Sequence, residues 1–163
     1  MRKTACLLTA AVLGMGAAAA VGSPAQADST CSAAQEHEFD TSGFNTDLRV
    51  RLCIYHGSPT RGAYAQTSWE NGGDDVEDNH RKFDLLMIHY QLQQFDGTVT
   101  AGSCDLTMRV NSSKSDQFMC DTAYRESSRR GGWSTDGYII YNLDRDGEGD
   151  KRIDLVGSPV VAH

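Results

Sequence analysis

From Leu48 to Tyr55 the chain alternates. Leu48, Val50, Leu52 and Ile54 are apolar, and Arg49, Arg51, Cys53 and Tyr55 stand between them. A strand turns successive side chains to opposite faces, so this pattern describes a strand with one face buried. Gly57-Ser58-Pro59-Thr60-Arg61-Gly62 breaks the run, and Ala63 to Trp69 follows, so residues 48–69 read as a hairpin. Phe83 to Leu92 is the most apolar run, and Asp96-Gly97 is the turn expected to return it over 98–101. Leu106, Met108 and Val110 alternate again, and Phe118 to Tyr124, Trp133 to Tyr141 and Arg152 to Val156 follow. No segment carries the 3.6-residue apolar stripe of an amphipathic helix. The expected fold is therefore all-β, an antiparallel two-layer β-sandwich of about eight short strands.

The start of the chain sets the expected compartment. Arg2 and Lys3 precede the apolar run Leu7 to Val21, and Ala25-Gln26-Ala27 is a small-x-small cleavage pattern. Residues 1–27 thus read as a signal peptide, shorter in its apolar part than a membrane span. The remaining organisation is an N-terminal arm over 28–44, loose and pinned at Cys31, and a single domain over 45–163. Losing Arg2 and Lys3 from the 15 Lys and Arg leaves 13 against 22 Asp and Glu, a formal charge of −9. So acidic a chain repels phosphate backbones, which argues against nucleic acid as a partner. It suits cations, cationic partners or solubility outside the cell.

Cys6 falls in the signal segment, leaving Cys31, Cys53, Cys104 and Cys120. An even number in an exported chain points to disulfides. Of three possible pairings, Cys31–Cys53 with Cys104–Cys120 is preferred, because sequential pairs close short loops near strand ends. Zinc is the competing use, and no Cys-x-x-Cys or His spacing supports it.

Residues 142–150, NLDRDGEGD, raise the question of metal binding. Asn142, Asp144, Asp146, Glu148 and Asp150 place oxygens at alternate positions around Gly147. Calcium takes six to eight oxygen ligands, and Glu148 would offer its backbone carbonyl. The pattern resembles the calcium loops of FG-GAP/VCBS-type repeats, in which the loop joins two β-strands. Asn142 replaces the usual Asp at position one, which weakens the expected affinity. An EF-hand would need a carboxylate at position twelve, where Ile153 stands. The competing description is a solvated Asp-Gly hairpin turn.

The layout of VRLC, SWENGG, GSCDL and DRDGEGD is similar to that of a group of small secreted actinobacterial proteins. That likeness implies a fold and an extracellular address but no reaction. Gly-x-Ser-x-Gly is absent, and His37, His80 and His89 sit in no hydrolase spacing. Trp69 and Trp133 lie at strand edges beside Gly-rich turns, as ligand-stacking aromatics do, or else they are core residues. Arg125, Arg129 and Arg130 form a small basic cluster. The sequence thus leads to a secreted, non-catalytic binding or structural module with a structural calcium loop. Its expected partner is an extracellular protein or a glycan, and after signal removal no membrane. A secreted protease inhibitor or a small hydrolase is the alternative.

Overall fold

The computed structural model describes residues 29–57, 59–74 and 76–162. The signal peptide expected over 1–27 lies outside them. Along the chain run β1 (Ser29–Cys31), β2 (Gln35–Phe39), β3 (Thr46–His56), β4 (Thr60–Glu70), β5 (Phe83–Gln94) and β6 (Gly97–Asp105). A short helix α1 (Thr107–Asn111) follows, then β7 (Asp116–Met119), β8 (Ala123–Glu126), β9 (Trp133–Leu143) and β10 (Lys151–Leu155).

The strands form two antiparallel sheets, as the alternation requires. In the first, the long hairpin β3–β4 is the centre. β1 and β2 share the free edge of β3, while β7 and β8 share that of β4. The second has the order β10-β9-β5-β6. Leu48, Val50, Leu52 and Ile54 face inward from β3 and meet Leu86, Ile88 and Leu92 of β5 and Ile139 of β9 in one core. Each is wholly buried, and each contributes about 1.5–3 kcal/mol relative to an exposed side chain.

Four sequence expectations need correction. The arm expected over 28–44 is not loose in its described residues, since Ser29–Cys31 and Gln35–Phe39 pair along β3. The strands number ten among the described residues rather than about eight, and four of them run eleven or twelve residues. The alternation at Leu106, Met108 and Val110 is a helix: Leu106 and Val110 lie one turn apart and are buried, and Met108 points to solvent. The β5–β6 turn is centred on Phe95 and Asp96, not on Asp96-Gly97. Gln94 pairs with Gly97, and both turn residues have positive φ, 50° and 64°, the geometry of a mirror-image type I turn.

Two disulfides staple the fold, with the pairing Cys31–Cys53 and Cys104–Cys120. Cys31 and Cys53 are register partners within the first sheet. Cys104 leaves β6 of the second sheet for Cys120, which follows β7 of the first, so this bridge joins the layers. Beside it the Tyr90 hydroxyl donates to the carbonyl of Asp121. Gly102 gives the Tyr90 ring its path, because a Cβ there would meet the ring at 2.6 Å. Thr135 Oγ1 of β9 donates to the Cys53 carbonyl of β3 at 3.0 Å, a further buried tie between layers.

A buried ion pair makes a further joint at the entry to β5. Lys82, 0% exposed, stands just before β5. Its ammonium donates to Asp78 Oδ2 at 2.5 Å and to the carbonyls of Ser42 and Phe44 at 2.7 and 2.9 Å. All three protons are therefore used. Asp78 also accepts the backbone N–H of Phe44 and of His80. Ser42 and Phe44 belong to the β2–β3 connection, so the pair ties the first sheet to the entry of the second. Gly43 (φ 78°) is required beside it, because a Cβ there would lie 2.3 Å from Asp78 Oδ1.

Burial alone would raise the Asp78 carboxyl, but the hydrogen bond from Lys82 and those from Phe44 and His80 hold it below its ordinary value. Its contribution to stability is complete above the unfolded value of about 4 and is lost as pH falls through the folded value. Asp78→Asn keeps the shape and removes the counter-charge, leaving the ammonium buried and uncompensated. The expected cost is about 3–5 kcal/mol in urea unfolding at pH 7, and the wild-type advantage should shrink as the pH drops below about 4.

Candidate functional site

Two surfaces hold the chemistry-bearing residues, and the first is the β9–β10 loop. Arg145, Gly147 and Gly149 all have positive φ, 61°, 71° and 76°. The loop begins pinned to the layer joint, since Asp144 N–H donates to the Lys82 carbonyl at 3.0 Å. Asp144 and Asp146 are turned inward, with side chains 13% and 19% exposed.

Cations of the chain itself face these carboxylates. Asp144 meets Arg81 and Arg145, each at 3.6 Å. Lys151 pairs with Glu148 and lies 3.5 Å from Asp146. The hydrogen bond to Glu148, aided by the charge of Asp146, holds the Lys151 ammonium above its ordinary value. Asp146 Oδ1 also accepts the Glu148 N–H at 2.9 Å, an Asx turn, and Asn142 Nδ2 donates to Asp150 at 3.1 Å. Asn142 and Asp150 are thus brought together, while Asp144 and Asp146 point to different cations. Among the described residues no three His, Cys, Asp or Glu side chains are grouped to hold a metal. For calcium to fit, Lys151 must swing away and the carboxylates must turn inward together.

Trp69 and Trp133 are core residues, 2% and 1% exposed, which removes them as ligand-stacking surfaces in this fold. Trp69 Nε1 donates to Ser113 Oγ at 3.2 Å, and Trp133 Nε1 to the Arg129 carbonyl at 3.2 Å. Each buried indole is therefore satisfied by the Gly- and Ser-rich turn beside it. An aromatic group on the second sheet has the Arg152 guanidinium 3.7 Å over Tyr138, and Tyr138 stacks on His89 at 4.8 Å. Burial and the neighbouring Arg152 push His89 below its ordinary value, so at neutral pH it is an uncharged stacking partner.

The second surface is a groove of about 660 Å³ across the outer face of the first sheet. β2, β3, β4 and β7 contribute to it, and Glu36, Glu38, Asp47, Arg49, Glu70 and Asp116 bring its charges. Arg49 is engaged with Glu36 at 3.0 Å. Sequence reading missed this site, because its carboxylates are scattered from Glu36 to Asp116 and meet only through strand register.

The fold and these surfaces define a disulfide-stapled antiparallel β-sandwich with an acidic concave face and a charged β9–β10 loop. Comparison with protein-family models, with curated proteins and with solved structures gives no match to this chain.

Proposed function

We propose that the chain is exported and acts outside the cell as a small non-catalytic binding or structural module, with calcium as a structural ion in the β9–β10 loop. The disulfides carry the extracellular half of this reading. Two bridges, one of them between the layers, suit an oxidising compartment, where small domains supplement a modest core in this way. Among the described residues no helix is long and apolar enough to cross a membrane. The calcium half rests on the loop sequence, which gathers Asn142, Asp144, Asp146, Glu148 and Asp150 within nine residues, the hard oxygen donors that calcium takes. The groove on the outer face of the first sheet favours binding over a purely structural part.

Export is tested by intact mass of the secreted protein before and after alkylation. The expected product starts near Asp28 and takes up no alkyl group until it is reduced. Uptake on two cysteines of the native protein contradicts the double bridge.

Calcium is tested by melting. An ion that binds only the folded state stabilises it by about 2.7 kcal/mol at a hundredfold excess over Kd. Lys151 occupies the position of a competing cation, so Lys151→Met should enlarge the calcium response, and Asp146→Ala should abolish it. A midpoint unmoved by calcium in both wild type and Lys151→Met returns the loop to a self-neutralised charged turn.

A further inference from the structure

A strand at the edge of a sheet invites pairing with another chain, and folds blunt such edges with charge, brevity or cover. The other edges of this sandwich are blunted in these ways. β1 and β2 are short, and β2 carries Glu36 and Glu38. β7 and β8 have four residues each, with Asp116, Arg125 and Glu126 among them. β10 carries Lys151, Arg152 and Asp154, and just past its end the Gln35 side chain accepts the Val156 N–H at 2.6 Å and donates to the Val156 carbonyl at 2.9 Å. β6 has none of these devices. It is nine residues long, stands last in the order β10-β9-β5-β6, and is uncharged from Gly97 to Cys104 in a chain with 22 Asp and Glu. Thr98, Val99, Ala101 and Ser103 are exposed along it.

Register gives the direction of its free backbone groups. The Leu106 N–H donates to the Leu86 carbonyl at 2.9 Å, so position 106 faces β5. An antiparallel ladder alternates, and the register is unbroken from Thr100 to Asp105. Ala101, Ser103 and Asp105 therefore turn their N–H and C=O groups away from β5. A second β6 laid antiparallel about Ala101 meets these groups with the same set. Ala101 then falls opposite Ala101, Thr100 opposite Gly102 and Asp105 opposite Gly97, so no like charges are opposed.

The ends of β6 carry an independent observation. Phe95, two residues before it, is 73% exposed and holds φ 50°, a conformation that Asn or Gly takes easily and a bulky ring does not. Its ring is held in place all the same, since a Cβ on Gly132 would collide with it. The single chain gains little from an aromatic residue fixed there in water. Met108, three residues past the other end, is 78% exposed. Antiparallel pairing brings the Phe95 end of each copy to the Met108 end of the other, which gives both apolar side chains a neighbour twice in one assembly. We propose that the chain forms a two-fold dimer in which β6 pairs with β6 of a second copy, joining their second sheets into one.

Sedimentation equilibrium of the exported, disulfide-bonded protein from micromolar to millimolar concentration reads this association. A reversible monomer–dimer equilibrium is expected, strengthening as salt screens the negative charge of the two copies. Ala101→Pro removes the central outward donor from each copy at a position where an edge strand tolerates proline, and should weaken the dimer at least about tenfold. Phe95→Asn should weaken it by about tenfold as well. It should also raise the melting temperature of the monomer, because Asn suits the positive φ, so its loss of dimer is not a loss of fold. A chain that stays monomeric to millimolar concentration overturns the proposal. So does a dimer that keeps its wild-type strength in either variant, or one that salt dissociates.

Discussion

A lysine is almost never fully buried unless its charge is met, and Lys82 is the place where this fold accepts that cost. Desolvating an ammonium takes several kcal/mol, and the interior returns it only with a counter-charge and full hydrogen bonding. Asp78 gives the charge, and the carbonyls of Ser42 and Phe44 take the other two protons. Those carbonyls are in position only if the β2–β3 connection is folded back over the entry to β5. The pair therefore links three segments that no ladder of strand hydrogen bonds joins. Asn111, at the end of α1, extends the joint by accepting the N–H groups of Lys82 and Phe83 and donating to the Phe83 carbonyl.

Midway along β5, where Cys104 registers on Ile88, the layers are tied covalently by Cys104–Cys120 and by Tyr90 reaching Asp121, and Thr135 donates to the Cys53 carbonyl. Around these ties the contact is apolar, and apolar contact by itself allows sliding. The polar and covalent ties together fix one alignment of the sheets. With the inner faces so committed, the outer faces are free to differ. The second sheet closes its face with the Arg152–Tyr138–His89 stack. The first leaves a groove lined by Glu36, Glu38, Asp47, Glu70 and Asp116 beside Arg49.

The strands were legible because burial of one face leaves a period of two, and β3, β4, β5 and β9, each eleven or twelve residues long, carry it over part of their length. β2 was not legible. Gln35, Glu36, His37 and Glu38 offer no apolar alternation, and only Phe39 is buried. Five residues at 106–110 were too few to separate a period of two from a helical turn, since i and i+4 belong to both. The tryptophans beside Gly-rich turns looked like surface aromatics, but the turns fold over them and accept their indole protons. Lys82 sits in the string Glu-Asp-Asn-His-Arg-Lys, which has every mark of a solvated loop. The acidic groove could not be read at all, because register is not written in any one strand. For the β9–β10 loop the sequence supplied the oxygens, and the basic residues that meet them, Arg81 and Lys151, only became visible in space.

Native-state hydrogen exchange of backbone amides tests the joint most directly. If Lys82–Asp78 holds the layers together, the Phe44 amide that binds Asp78 and the Lys82 amide that binds Asn111 open only when the whole domain opens. Their protection should then fall within about tenfold of that of Ile88 in the centre of β5. Exchange of Phe44 and Lys82 at the rate of an open loop, with Ile88 still protected, would contradict the account.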